Sequence, residues 1–151
     1  MITISPPSPA SHAYFSPGPD CLACVVEHFR AARRTVDVCV FTITDDRIAG
    51  TMLETHRRGV RIRVVTDNDK SGDLGSDIER LEAAGIPTKI DRTPYHMHHK
   101  FAIFDGTRLV NGSYNWTRGA ADQNAENLID TGDAALVAAF QRQFDTLWAK
   151  L

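Results

Sequence analysis

The chain has 151 residues, 42% of them hydrophobic and 24% charged, which gives room for one ordinary domain with its own core and excludes a fibre, a disordered tail or a tandem array. Seventeen Lys and Arg against 19 Asp and Glu leave a formal charge of −2, which excludes a protein that coats nucleic acid by bulk electrostatics and makes any phosphate binding local. Along the chain, Pro6, Pro7, Pro9, Pro17 and Pro19 come first, too dense for regular helix, so residues 1–19 read as a Pro-rich tail ahead of a domain over 20–151. This segment has neither the basic start nor the apolar run of a secretory leader, and no apolar run reaches the roughly 18 residues of a membrane span. A soluble, cytoplasmic protein is expected.

From Asp20, a capping-type residue, Leu22, Val25, Val26 and Phe29 recur at helical spacing up to the basic end at Arg33 and Arg34. The β-branched run Val36 to Ile43 reads as a buried strand, and a helix over Asp46 to Arg58 stops at Gly59. Val60 to Asp67 supplies a second strand, followed by a Gly- and Asp-rich loop, a helix over about 76–84, and a strand from Ile86 to Ile90. Strands separated by helices imply an α/β fold with a mixed, mostly parallel sheet flanked by helices on both faces. The last third differs: residues 97–115 look like a hairpin, Glu126 to Ile129 like a strand, and Asp133 caps a helix striped by Leu136, Val137, Phe140, Phe144, Leu147, Trp148 and Leu151.

The chemistry lies in that hairpin. Asp105-Gly106 between apolar runs signals a two-residue turn, since both central positions need positive φ. Phe104 then faces Thr107, Lys100 faces Asn111 and His98 faces Ser113, so His98, Lys100, Asn111, Ser113 and Asn115 converge on one patch. An imidazole, an ammonium, a hydroxyl and amides suit a tetrahedral phosphate, and no acidic cluster stands ready for a metal. The expected reaction is metal-independent and cofactor-free, with Lys100 stabilising charge on the phosphorane oxygens and Asn115 donating a hydrogen bond.

His98-x-Lys100-x4-Asp105, then Gly112-Ser113-x-Asn115 and Glu126-Asn127, resembles the HKD signature of the phospholipase D superfamily. The likeness is to its single-motif branch, which includes a bacterial endonuclease and the mitochondrial cardiolipin hydrolases. It extends through Val36-Asp37-Val38-Cys39-Val40-Phe41 and Gly59-Val60-Arg61-Ile62-Arg63-Val64-Val65-Thr66-Asp67. The resemblance implies a phospholipase D-like fold, His98 as the nucleophile that forms a phosphohistidine, Lys100 and Asn115 as phosphate ligands, and Ser113 in the same pocket. Glu126 would accept a hydrogen bond from the far nitrogen of the imidazole. Asp105 belongs to the motif, yet it also fits the turn and points away from His98, so catalytic and structural roles both stand open. A second histidine is needed to protonate the leaving alkoxide, and a single motif therefore implies a homodimer with its active site at the subunit interface.

The leading substrate is single-stranded DNA or RNA, cleaved endonucleolytically. The alternative is a phospholipid such as phosphatidylcholine or cardiolipin, and a rival of another class is a non-catalytic module that only holds phosphate. Other features have bland readings beside sharp ones. Cys21, Cys24 and His28, with His12 upstream, have zinc-like spacing but also suit small buried side chains on a core-facing helix; His96, His98 and His99 invite a metal without an acidic or cysteine partner. The arginines at 33, 34, 57, 58, 61 and 63 form either a phosphate-tracking strip or a solvated face, and Trp116 either stacks on a ligand or anchors its loop.

Overall fold

Short β-branched runs alternate with amphipathic helices, and each element buries its apolar side against the others. The computed structural model describes residues 10–68 and 76–151; the Pro-rich stretch over 1–9 and the Gly- and Asp-rich stretch over 69–75, where a loop is expected, lie outside the described residues. In chain order the elements are β1 (Ser11–Ser16), α1 (Asp20–Ala31), β2 (Thr35–Val40), α2 (Asp46–Arg57), β3 (Arg61–Asp67), α3 (Ile78–Ala83), β4 (Thr88–Asp91), β5 (Lys100–Phe104), β6 (Arg108–Gly112), α4 (Arg118–Asp122), β7 (Glu126–Thr131) and α5 (Ala134–Lys150).

The strands form one seven-stranded sheet in the order β1-β7-β6-β5-β2-β3-β4. Five strands run one way and β5 and β7 run the other, so β2–β3 and β3–β4 are parallel while the four remaining pairs are antiparallel. The α/β class and the mixed sheet are as expected, and "mostly parallel" holds for strand direction but not for pairing. The physical reason is that the last third of the chain returns by a hairpin and a looped connection instead of long helical crossovers.

The two faces of the sheet carry different cores. Val36, Val38, Val40, Ala102 and Phe104 pack with Val25 and Phe29 of α1 and Ile48 and Met52 of α2, whereas Cys39, Val65, Phe101 and Ile103 meet Val137 and Phe144 of α5. This split is the period-2 alternation of buried strands expressed on both sides. Asp45, Thr117 and Asp133 cap α2, α4 and α5 by accepting the backbone N–H of Arg47, Ala120 and Leu136. Two of the six arginines of the supposed strip are structural. Arg58 donates to the carbonyls of Phe29, Arg30 and Ala32 at the end of α1, and Arg63 forks onto Asp37 at 2.8 and 2.9 Å while lying 4.9 Å over the Phe144 ring.

Two expectations need correction. Residues 11–16, read with the tail, form β1 and pair along their length with β7, from Ser11 opposite Thr131 to Ser16 opposite Glu126. The prolines fall on either side of this strand and not in it, so the segment keeps every N–H the ladder needs. The hairpin turn contains three residues, 105–107, because Phe104 pairs with Arg108, and the register moves by one so that Phe101, not Lys100, faces Asn111. Tertiary contacts set this turn. Asp105 (φ +54°) and Gly106 (φ +66°) are both left-handed, the Asp105 N–H donates to the Thr35 carbonyl at 2.7 Å, and its carboxylate accepts the N–H groups of Arg33 and Arg34 in the α1–β2 loop and of Thr35 at the start of β2.

Candidate active site

The site forms where β2 and β3 end side by side and the chain re-enters the sheet as β5, with Lys100 opposite Val40. Two main-chain bonds hold the lead-in: the Phe41 N–H donates to the His99 carbonyl at 2.9 Å, and the Met97 N–H donates to the buried Asp67 carboxylate at 2.6 Å. Met97 is itself buried and accepts the Cys39 thiol at 3.5 Å. His98 therefore stands on a short arch anchored at both feet. Its side chain is exposed and its ring lies 4.6 Å from that of Phe41.

Lys100 is buried, with 8% of its surface exposed, and its Nζ donates to the His98 carbonyl at 2.6 Å and to His98 Nδ1 at 2.9 Å. Burial lowers the Lys100 pKa, opposed by the negative charge of Glu126. The His98 pKa is also lowered, first by the partial desolvation of its ring beside Phe41 and then by the charges of Lys100 and His96, with Asp67 opposing. The imidazole is accordingly neutral over a wider pH range than a free histidine, as a nucleophile requires.

The opposite wall comes from β6, β7 and the loop between them. Gly112 is required here: a Cβ would collide with the Asn127 carbonyl, so only glycine lets β7 come this close. Ser113 seals the junction, its N–H donating to the Asn127 carbonyl and its Oγ accepting the Asn127 N–H, both at 3.1 Å. That leaves the Ser113 hydroxyl proton for a ligand. Asn115 Oδ1 is buried without a hydrogen-bond partner. His98, Lys100, Asn111, Ser113, Asn115 and Glu126 thus line one cleft of about 600 Å³. The register moves Asn111 to the α5 side of the sheet, yet it still borders the cleft, because the cleft lies across the strand ends.

Asp105 is not brought to this cleft. It sits at the opposite end of β5, its carboxylate 2.7 Å from the Arg34 N–H and 3.0 Å from the N–H groups of Arg33 and Thr35. Burial pushes its pKa up, and these three backbone bonds outweigh that and hold it below the usual range. In this structure its carboxylate ties the α1–β2 connection to the hairpin turn. Glu126 shares the cleft, but the expected bond to His98 is not formed in the single chain, where Lys100 occupies Nδ1.

The remaining histidines are engaged otherwise. His99 points toward α5, 3.3 Å from Gln143 Nε2, and His96 lies 3.7 Å from Asp67. Trp116 is buried and meets Phe29 edge-on at 5.7 Å, while its carbonyl accepts the N–H groups of Thr44 and Asp45, so it anchors its loop. Sequence reasoning missed Phe41 and Asp67, the platform and anchor of the arch. The available signal was position: both stand at the carboxyl ends of adjacent parallel strands, where open α/β sheets place their sites.

A family model described as cardiolipin synthase, PLD-like domain, matches residues 25–148. The chain belongs to the phospholipase D-like family. It is 49% identical over 137 residues to the mitochondrial cardiolipin hydrolase of Chlamydomonas reinhardtii, covering 91% of this chain and 61% of that protein. With the human mitochondrial cardiolipin hydrolase it shares 40% identity over 131 residues, covering 87% of this chain and 52% of that protein. The chain thus spans between half and two thirds of the length of these relatives. The fold is that of Nuc, a phospholipase D family member from Salmonella typhimurium, with a TM-score of 0.86 at 23% identity over 93% of this chain and 95% of that one. NucT from Helicobacter pylori gives a TM-score of 0.83 at 22% identity over 93% and 96%. The cytoplasmic expectation is overturned, since the relatives named here are mitochondrial proteins. Among the described residues no helix is long and apolar enough to cross a membrane.

Proposed function

We propose that this phospholipase D-like chain is a mitochondrial phosphodiester hydrolase that acts on an anionic phospholipid of the cardiolipin class through a phosphohistidine. The observation that carries the reading is the imidazole of His98 with its Nδ1 2.9 Å from the Lys100 ammonium, in a cleft completed by Ser113, Asn115 and Glu126, where its pKa is lowered. A diester phosphate entering the cleft draws Lys100, the Asn115 amide and the Ser113 hydroxyl to its oxygens. An unprotonated ring nitrogen of His98 attacks phosphorus, the P–O bond to the leaving alcohol breaks, and a second imidazolium protonates the alkoxide. Water then attacks phosphorus, giving its proton to that second imidazole, and the P–N bond breaks to release His98. The second ring is His98 of another copy, so the working form is a homodimer, and two inversions retain configuration at phosphorus.

Three surface features favour lipid over nucleic acid. Phe15 and Ile129 are 66% and 48% exposed, and Ile129 is the cross-strand partner of Asn111 at the cleft wall. Tyr95, 79% exposed, directly precedes His96 in the segment that leads to His98. Arg58 and Arg63, which a phosphate-tracking strip would use, are committed to the fold. The relatives' names agree with this choice.

The test is head-group release from cardiolipin and phosphatidylcholine vesicles, in parallel with end-labelled single-stranded DNA and RNA. It is run in excess EDTA at a temperature where circular dichroism shows folded protein, for wild type and His98→Ala. Turnover of cardiolipin by wild type alone is expected. Cleavage of nucleic acid with intact vesicles would overturn the lipid assignment and keep the chemistry, and turnover of no diester would leave only a phosphate-binding module. Light scattering tests the dimer: a monomer at assay concentration that still turns over contradicts the second histidine.

A further inference from the structure

Three donors that the phosphodiester cleft does not use come together toward the far end of β7 from Glu126. Cys24 and His28 lie four residues apart on α1 and so share a helix face, and β7 brings Asp130 against them. One ligand atom from each lies within 4.8 Å of the other two. His28 Nε2 is 3.1 Å from Asp130 Oδ2, while the other Asp130 oxygen is held by Arg108 at 2.6 Å. The His28 ring is stacked on Phe104 at 5.1 Å, so imidazole and carboxylate are both oriented in advance. A fourth donor faces the same way: His12 is the cross-strand partner of Asp130 and borders the same cavity, of about 330 Å³.

We propose that Cys24, His28 and Asp130, completed by His12, bind one zinc ion that ties the edge strand β1 to α1 and β7. One thiolate, two imidazoles and one carboxylate are four donors of types that zinc binds, enough for its tetrahedral shell, and the soft sulfur selects against magnesium and calcium. On binding, the Cys24 proton passes to solvent, neutral His28 donates a nitrogen lone pair, and its direct contact with Asp130 is replaced by shared ligation. Without a cation, burial and the charge of Asp130 push the Cys24 thiol up to about 12, and a bound dication reverses that balance. Cys21 is buried outside the cluster and takes no part, so the ligand set is not the Cys21, Cys24, His28 triplet of the sequence spacing.

The test uses the full chain, stripped with EDTA, exchanged into chelator-free buffer and titrated with cobalt(II) as a spectroscopic probe and then with zinc. One equivalent should bind with a thiolate-to-cobalt charge-transfer band that zinc abolishes, and zinc should raise the melting temperature. Cys24→Ser should lose the band, while Cys21→Ser and Cys39→Ser keep it. His28→Gln and Asp130→Asn should each weaken binding at least about 10-fold, the lower end of what loss of a supporting residue does. A band that survives Cys24→Ser, or the absence of a stoichiometric site in folded wild type, overturns the proposal. So does binding that lacks the thiolate band and disappears in His96→Ala or His98→Ala, which would place the ion at the cleft. None of these readouts is activity, so the proposal stands or falls apart from the phosphodiesterase reading.

Discussion

The two ends of β5 carry the two charged ends of one sequence motif, and the fold uses them in opposite ways. At the entry end, Lys100 is buried with its ammonium against an imidazole and a carbonyl, and it feels the charge of Glu126 across the cleft. At the exit end, the Asp105 carboxylate is saturated by backbone donors and lies in a turn with no reacting group near it. The lesson is that a motif's spacing records both chemistry and the scaffold that delivers it. Lys100 has charge to spare for a ligand, and Asp105 has none.

The comparison breaks most sharply at the cleft. His98→Ala should lower turnover by at least about 10³-fold, as expected for loss of a nucleophile, while the denaturation midpoint stays at the wild-type value because the side chain is exposed. Lys100→Gln should cost about 10²–10³-fold in kcat, the usual loss when an oxyanion donor is removed. It also sharpens the pH argument. The lowered pKa of His98 places the acid limb of the kcat/KM profile below the ordinary histidine value, and removing the Lys100 charge should move that limb to higher pH. A limb that stays in place would show that the ammonium does not act on the ring.

At the wall of the cleft, Gly112→Ala should destabilise the protein by about 1–3 kcal/mol, the range for overpacking, and lower activity as well, because β7 carries Asn127 and Glu126. Chemical denaturation and turnover per folded molecule separate the two effects. Asp105→Asn is the mildest. It keeps a residue that tolerates left-handed backbone but loses the charge, and about 1–2 kcal/mol is expected from denaturation with turnover unchanged. The sign with pH follows from its lowered pKa. The carboxylate contributes stability above its unfolded pKa, this contribution fades as pH falls through the folded value, and Asp105→Asn should flatten that acid-side loss. A fall in turnover at constant stability would return Asp105 to the chemistry.

His98, Lys100, Asn111, Ser113 and Asn115 are legible from local spacing, and Glu126 from the family resemblance. His98, Lys100, Ser113, Asn115 and Glu126 are found together although the hairpin register differs by one, since the cleft spans strand ends, where side chains of either face can reach. What was not legible depends on contacts between distant segments. Asp105 looks like a turn residue or a catalytic acid until Arg33, Arg34 and Thr35 are seen to donate to it from 70 or more positions away. Likewise β1 hides between prolines until β7 supplies its partner.

By itself the sequence determined the longer helices, the strands from β2 onward, the α/β class and the grouping of His98, Lys100, Ser113, Asn115 and Glu126, because periodicity and motif spacing are properties of neighbouring residues. Only the tertiary structure decided the turn length, the order and direction of the strands, the fate of Asp105 and the meeting of Cys24 and His28 with Asp130. Each of these requires segments far apart in the chain to satisfy one another's polar groups, and no local pattern encodes that choice.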